Sequence, residues 1–136
     1  MPRHVAVDTG PLVALFDKND ADHLAAVKFF SRFRDRGFVT QAVVAEVTHL
    51  VGFHSQTPVD FLRWLLDGAL AVVESTDDLP RIVELMVKYE DQPMDYANAT
   101  IVAACERLGI RDVVTLDSDF IVYFKNRQVF RNLFPM

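Results

Sequence analysis

The chain has 136 residues, the length of one domain, so we expect residues 1–136 to fold as a single unit. Hydrophobic residues make up 51% of it and charged residues 24%, a composition that excludes disordered and collagen-like proteins. The formal net charge of −5 argues against a protein that holds nucleic acid by positive charge alone. A single cysteine excludes an internal disulfide, and no apolar run approaches the roughly 20 residues that span a bilayer. We therefore expect a soluble, cytoplasmic protein.

Short apolar runs alternate with helical patterns along the chain. Strands are predicted at residues 4–7, 38–40, 70–73 and 112–116, with a possible fifth at 128–133. A turn at 9–11 and an apolar run at 12–16 follow the first strand. Helices are then predicted from a cap at Asp20 to Gly37, at 41–51, at 58–67 after a cap at Thr57, from a cap at Asp77 or Asp78 to Tyr89, and at 96–108. This alternation predicts a three-layer α/β/α sandwich with a short, mostly parallel central sheet.

Acidic residues lie where this fold would place a ligand. Asp8 follows the first predicted strand, Asp117 and Asp119 follow the fourth, and Glu46 and Asp95 lie near the starts of two helices. Ligands of open parallel sheets bind at the carboxyl ends of the strands. Carboxylates gathered there repel one another unless a cation offsets their charge, and oxygen-only clusters suit Mg²⁺ or Mn²⁺. Such a cation activates water and offsets phosphate charge, so an acidic chain could still process a polyanion.

Each acid also has a structural interpretation. Asp8 and the pair Asp117 and Asp119 fit ordinary turn residues after strands. Asp95 fits the N-cap of the helix that follows it. Glu46 is different, because it lies on a helix rich in valine and alanine, and buried acids are normally paired or metal-bound. Both interpretations stay open at this point.

Four segments resemble, in their order along the chain, the motifs of the PIN domain family. They are VDTGPLVAL (7–15), AEV (45–47), PMDYANAT (93–100) and TLDSDF (115–120). The likeness covers essentially the whole chain and is greatest to small prokaryotic members typified by VapC toxins. It implies a metal-dependent endoribonuclease that acts on RNA, is usually a homodimer, and is often held inactive by a cognate antitoxin as part of a type II toxin–antitoxin pair.

The resemblance also implies roles for individual residues. Asp8, Glu46 and Asp117 would be catalytic acids and ligands for Mg²⁺ or Mn²⁺. Asp119 would be an accessory ligand. Thr9 and Thr115 would support them with their hydroxyl groups.

One family position departs from the pattern. Where related sequences carry a further acid, this chain has Asn98, whose side chain offers a neutral oxygen without a charge. Asp95 lies three residues earlier on nearly the same helix face and could replace that acid as a catalytic and metal-binding residue. We therefore expect metal affinity to be weakened rather than lost.

Other residues have alternative interpretations. His49 and His54 lie five positions apart, a spacing that does not place two zinc ligands on one helix face. Basic groups at Arg32, Arg34 and Arg36, and at Lys125, Arg127 and Arg131, are either solvated surface or contacts to RNA phosphates beside the metal site. Aromatic and aliphatic side chains at Phe53, Phe61, Trp64 and Leu65 belong either to the core or to a protein interface.

Two alternative functions accompany the nuclease interpretation. The first is a catalytically weakened or inactive PIN module that binds RNA or a protein partner, with Asn98 marking the loss of activity. The second is a receiver-like phospho-acceptor domain. That alternative needs an acidic residue at a strand end in the middle of the chain, where only Glu74 is found.

Overall fold

The computed structural model describes residues 2–91, 94–117 and 130–135, and the strands in them form one parallel sheet. The strands are β1 (His4–Val7), β2 (Arg36–Thr40), β3 (Ala71–Val73), β4 (Asp112–Val114) and β5 (Arg131–Asn132). Their order across the sheet is β3-β2-β1-β4-β5, and each neighbouring pair is parallel. Receiver domains have the order 2-1-3-4-5, so the sheet argues against the phospho-acceptor alternative.

Helices connect the strands and cover the sheet. They are α1 (Thr9–Phe16), α2 (His23–Arg32), α3 (Gln41–Leu50), α4 (Gln56–Leu66), α5 (Leu79–Lys88) and α6 (Tyr96–Leu108), with a 3₁₀ turn at Thr76–Asp78 before α5. The chain crosses from β1 to β3 in one direction and from β3 to β5 in the other. Right-handed crossovers therefore place helices on both faces. The predicted α/β sandwich is confirmed, and none of the helices in the described ranges is long and apolar enough to cross a membrane.

The core lies around the central strand and the last long helix. Val5 and Val7 of β1 are fully buried between β2 and β4, and residues 99–105 of α6 are buried throughout. Burial on both sides explains why these segments are continuous apolar runs rather than alternating ones. Phe61, Trp64 and Leu65 belong to or pack against this core, whereas Phe53 is 56% exposed.

The predicted helix from Asp20 to Gly37 is wrong at both ends. The N-cap of α2 is Asp22, α2 ends at Arg32, and Gly37 lies inside β2, where it pairs with Val5 of β1. A Cβ atom on Gly37 would overlap the side chain of Leu70. The glycine therefore leaves room for the side chain of Leu70 beside β2 and does not end a helix.

Several other details of the elements add to or differ from the prediction. The predicted turn at 9–11 is the first turn of α1, since Asp8 is the N-cap. Asp78 is the N-cap residue of α5, one of the two predicted, but its carboxylate makes no capping bond and accepts hydrogen bonds from Arg107 at 2.8 and 3.2 Å. The helix predicted to begin after Thr57 starts one residue before it, at Gln56. β4 ends at Val114, two residues earlier than predicted.

Candidate functional site

Asp8 lies at the end of β1, next to the point where the chain changes direction across the sheet. Its backbone N–H donates to the carbonyl of Val114 at 2.9 Å, so β1 and β4 stay paired up to the site. One carboxylate oxygen accepts from the N–H of Thr9 at 2.7 Å, and the other accepts from the hydroxyl of Thr115 at 2.7 Å. With only 6% of the residue exposed, these bonds fix the direction of the carboxylate.

The surroundings of Asp8 make its negative charge unfavourable. Burial raises the pKa of Asp8 from its ordinary 3.8 to about 6, although the hydrogen bonds from Thr115 and Thr9 favour the ionised form. The charges of Asp117 and Glu46 raise this pKa further. The carboxylates of Asp117 and Glu46 therefore repel that of Asp8. A bound dication would offset this repulsion.

Thr115 organises the loop after β4. Besides donating to Asp8, its hydroxyl oxygen accepts from the N–H of Asp117 at 2.9 Å, and the residue is only 1% exposed. Asp117 is half-buried and lies three residues after the end of β4. The first turn of α1 packs closely against this loop, because a Cβ on Gly10 would lie 3.3 Å from the Cβ of Leu116. The hydroxyl of Thr115 thus links the two acids through the fold.

Helices α3 and α6 form the opposite wall and are tied together by buried threonines. Thr40 ends β2 and caps α3, and its hydroxyl donates to the Thr100 oxygen at 2.8 Å, since the Thr100 hydroxyl itself donates to the carbonyl of Ala97 at 2.6 Å. Both threonines are fully buried. This link holds Glu46, in the second turn of α3, beside the start of α6.

Asp95 is the N-cap of α6. One of its carboxylate oxygens accepts from the N–H of Asn98 at 2.8 Å, and its side chain is exposed. The capping interpretation of Asp95 is therefore what the structure shows. Asn98 is half-buried in the first turn of the same helix.

These elements surround one shallow cavity of about 320 Å³. It is lined by Asp8, Thr9, Gly10, Glu46, Asp95, Asn98, Leu116 and Asp117. Every predicted ligand residue that the structure describes lines this cavity, Thr115 lies directly behind Asp8, and Asp119 lies outside the described residues.

The donor atoms of this cavity suit a hard divalent cation. Its walls offer carboxylate, amide and hydroxyl oxygens, the ligands that Mg²⁺ and Mn²⁺ prefer. The hydroxyl oxygen of Thr9 is buried and has no hydrogen-bond partner within the described part of the chain, so it is available to a ligand or water. In that same part, no three acidic, histidine or cysteine side chains are grouped closely enough to hold an ion as they stand. Oxygens of Asn98, Thr9 and water would complete the ligand set beside the acids.

The basic residues proposed as RNA contacts do not lie beside this cavity where the structure describes them. Arg131 begins β5 and binds the carboxylate of Asp112 with two hydrogen bonds of 2.6 and 3.0 Å, at the amino end of β4. Arg36 begins β2 at the same amino edge. Lys125 and Arg127 lie outside the described residues.

Sequence reasoning missed one residue that supports the site. Asn132 of β5 forms hydrogen bonds with both backbone groups of Thr115. A single asparagine near the carboxyl terminus carries no pattern of its own, because its partners lie 17 residues away.

Comparisons with known proteins agree with this fold. The PIN domain family matches residues 5–125. Ribonuclease VapC26 of Mycobacterium tuberculosis is 30% identical over 114 residues, which cover 82% of this chain and 84% of that protein. The structure of M. tuberculosis VapC20, described as a toxin that cleaves the sarcin-ricin loop, superposes with a TM-score of 0.79 at 21% identity, covering 85% of this chain and 92% of that one. A toxin–antitoxin complex from Klebsiella pneumoniae gives 0.64 at 18% identity, covering 86% and 89%. The chain therefore belongs to the PIN domain family and is a VapC-like member of it.

Proposed function

We propose that this protein is an endoribonuclease that hydrolyses RNA phosphodiester bonds with the help of Mg²⁺ or Mn²⁺. The observation that carries the proposal is the cavity in which buried Asp8 lies within electrostatic reach of Glu46 and Asp117. A relative with 30% identity that is named a ribonuclease supports the choice of RNA as the substrate.

In this proposal the three acids hold the cation and the surrounding residues fix their positions. A bound divalent cation supplies an activated water and offsets the charge that builds up on the phosphate. Asp8 cannot turn away, because both of its carboxylate oxygens accept hydrogen bonds. Thr9 keeps a hydroxyl oxygen available to orient water or substrate.

Asn98 and Asp95 set the strength of cation binding in this proposal. Asn98 contributes a neutral oxygen where a carboxylate would add attraction for a dication. Asp95 lines the cavity, but one of its oxygens already caps α6. The proposed site therefore combines three charged ligands from Asp8, Glu46 and Asp117 with weaker contributions from α6 and from Asp119. We expect weakened but measurable affinity.

We further propose that the protein acts as a cytoplasmic toxin, forms a homodimer and is inhibited by a cognate antitoxin. The toxin–antitoxin complex among the similar structures supports a partner protein. Size-exclusion chromatography with light scattering should give twice the monomer mass for the isolated chain. A monomer would contradict the homodimer, and cell growth unaffected by expression would contradict the toxic role.

The nuclease proposal is tested by cleavage of a structured RNA. The protein should cut RNA in Mn²⁺, lose this activity in a chelator, and lose it on substitution Asp8→Asn. Asp67→Asn is the matched control, because it makes the same chemical change at an exposed acid at the end of α4. Cleavage that survives both the chelator and Asp8→Asn would refute the proposal. Binding of RNA without cleavage by the unsubstituted protein would favour a non-catalytic module instead.

A further inference from the structure

Asn132, on the edge strand β5, bonds the loop after β4 with both ends of its side-chain amide. Its side-chain oxygen accepts from the N–H of Thr115 at 3.1 Å and from the N–H of Phe134 at 3.1 Å. Its side-chain NH₂ donates to the carbonyl of Thr115 at 3.0 Å. Backbone N–H groups only donate, so this pattern fixes which end of the amide is oxygen and which is nitrogen. Asn132 therefore clamps both backbone groups of one residue.

The clamp replaces sheet pairing at the place where β4 stops. The N–H of Leu133 donates to the carbonyl of Val113 at 2.8 Å, as regular parallel pairing requires. At Thr115 the partner is a side chain instead, so the loop leaves the sheet while its backbone groups stay satisfied. This is important because Thr115 is only 1% exposed, and unpaired backbone groups buried there would cost about 1–3 kcal/mol each.

Thr115 contacts both Asp8 and Asp117, so its orientation affects the position of each acid. Its hydroxyl donates to Asp8 at 2.7 Å and accepts from the N–H of Asp117 at 2.9 Å. One Oγ1 atom makes both bonds, donating its proton to Asp8 and accepting from Asp117, so the placement of the Thr115 backbone decides whether that atom reaches both partners. A rotation of this peptide would break the contact with Asp8 and shift Asp117 at the same time.

We propose that Asn132 is a positioning residue for the candidate cation site, acting on Asp8 and Asp117 through Thr115. The proposal rests on the proposed function, since it concerns how the same acids are held for a cation. Residues that orient metal ligands typically contribute about 10- to 100-fold to metal affinity. Because Asn132 acts through one intervening residue, we expect Asn132→Ala to weaken Mn²⁺ binding by about tenfold.

The control must separate positioning from a general loosening of β5. Arg131 is the neighbouring residue in the same strand, and it binds Asp112 at the far end of β4. Arg131→Ala therefore removes a β4–β5 contact without touching the loop at Thr115. Asn132→Asp is the second variant, because it keeps the two acceptor bonds and loses the donor bond to the Thr115 carbonyl.

Two measurements decide the matter on the full chain. Calorimetric titration with Mn²⁺ should show the tenfold loss for Asn132→Ala, a smaller loss for Asn132→Asp and none for Arg131→Ala. In a double-mutant cycle, Asn132→Ala should add no further loss when Thr115→Val is already present. Hydrogen exchange should show lost protection at the amides of Thr115 and Asp117 in Asn132→Ala, with or without metal.

The possible failures are distinguishable from one another. Equal loss of Mn²⁺ affinity in Asn132→Ala and Arg131→Ala, or additive effects with Thr115→Val, would overturn the positioning role. Unchanged amide exchange at Thr115 and Asp117 in Asn132→Ala would overturn it as well. If the unsubstituted protein binds no Mn²⁺, the proposed function fails, while hydrogen exchange still decides whether Asn132 holds the loop.

Discussion

Asp8→Asn should stabilise the metal-free protein at alkaline pH while it removes the proposed activity. Burial raises the pKa of Asp8 to about 6, whereas the same group in the unfolded chain has its ordinary value of 3.8. A folded-state pKa above the unfolded value means that folding favours the protonated acid. The stability contribution of Asp8 is therefore fully present below the unfolded pKa and is lost as the pH rises through the folded pKa.

The size of the effect follows from the two pKa values. A difference of about two units corresponds to about 3 kcal/mol, since each unit is worth 1.36 kcal/mol. Asparagine has no charge to lose, but its single oxygen cannot accept from both Thr9 and Thr115 as the two carboxylate oxygens do. The lost bond costs about 1 kcal/mol. The net stabilisation above about pH 7 should then be about 2 kcal/mol.

Urea denaturation in a chelator, at about pH 5 and about pH 8, measures this effect. As the pH rises, the free energy of unfolding of Asp8→Asn should increase relative to that of the unsubstituted protein. Other groups titrate in both proteins and cancel in the comparison. Added Mn²⁺ should raise the free energy of unfolding of the unsubstituted protein only, because Asp8→Asn lacks a ligand. A difference in free energy of unfolding that does not change with pH would refute the interpretation that the buried charge of Asp8 destabilises the fold.

Three further predictions test other parts of the structure. Asn98→Asp should raise Mn²⁺ affinity by about tenfold or more in calorimetric titration, because it adds a charge next to the cation site; equal affinities would contradict the role given to Asn98. Thr100→Val should lower the free energy of unfolding by about 1–3 kcal/mol in urea, because it leaves the buried hydroxyl of Thr40 without its acceptor; an unchanged midpoint would show that the α3–α6 link contributes nothing. Cys105 is fully buried, which raises its pKa, so a thiol reagent should modify it only at the rate of unfolding; rapid modification of the native protein would contradict its place in α6.

Local signals predicted the elements that hold the acids. The apolar run before Asp8 forms β1 as predicted. The helix α6 ends before Gly109, whose φ of 69° suits a glycine. Both signals act within a few residues. Asp8 was predicted at the ligand edge because the carboxyl ends of parallel strands meet there. Asp95 could not be assigned from sequence, since an N-cap and a ligand on α6 require the same residue at the same position.

Long-range packing explains what the sequence could not predict. Gly37 has the signature of a helix end, but its role depends on Leu70, which lies in a distant part of the chain. Asn132 depends in the same way on Thr115, with which it forms hydrogen bonds across β4 and β5. The sequence left Arg131 as a candidate RNA contact, because its pairing with Asp112 at the amino edge depends on the register of β4 and β5.

A crystal grown or soaked in Mn²⁺ tests most directly whether the acids share one cation. Anomalous scattering from manganese should give a peak within ligand distance of Asp8, Glu46 and Asp117, and the peak should be absent from crystals of Asp8→Asn. Manganese found only elsewhere on the surface, with the carboxylates of this cavity turned towards solvent, would contradict the proposed metal centre.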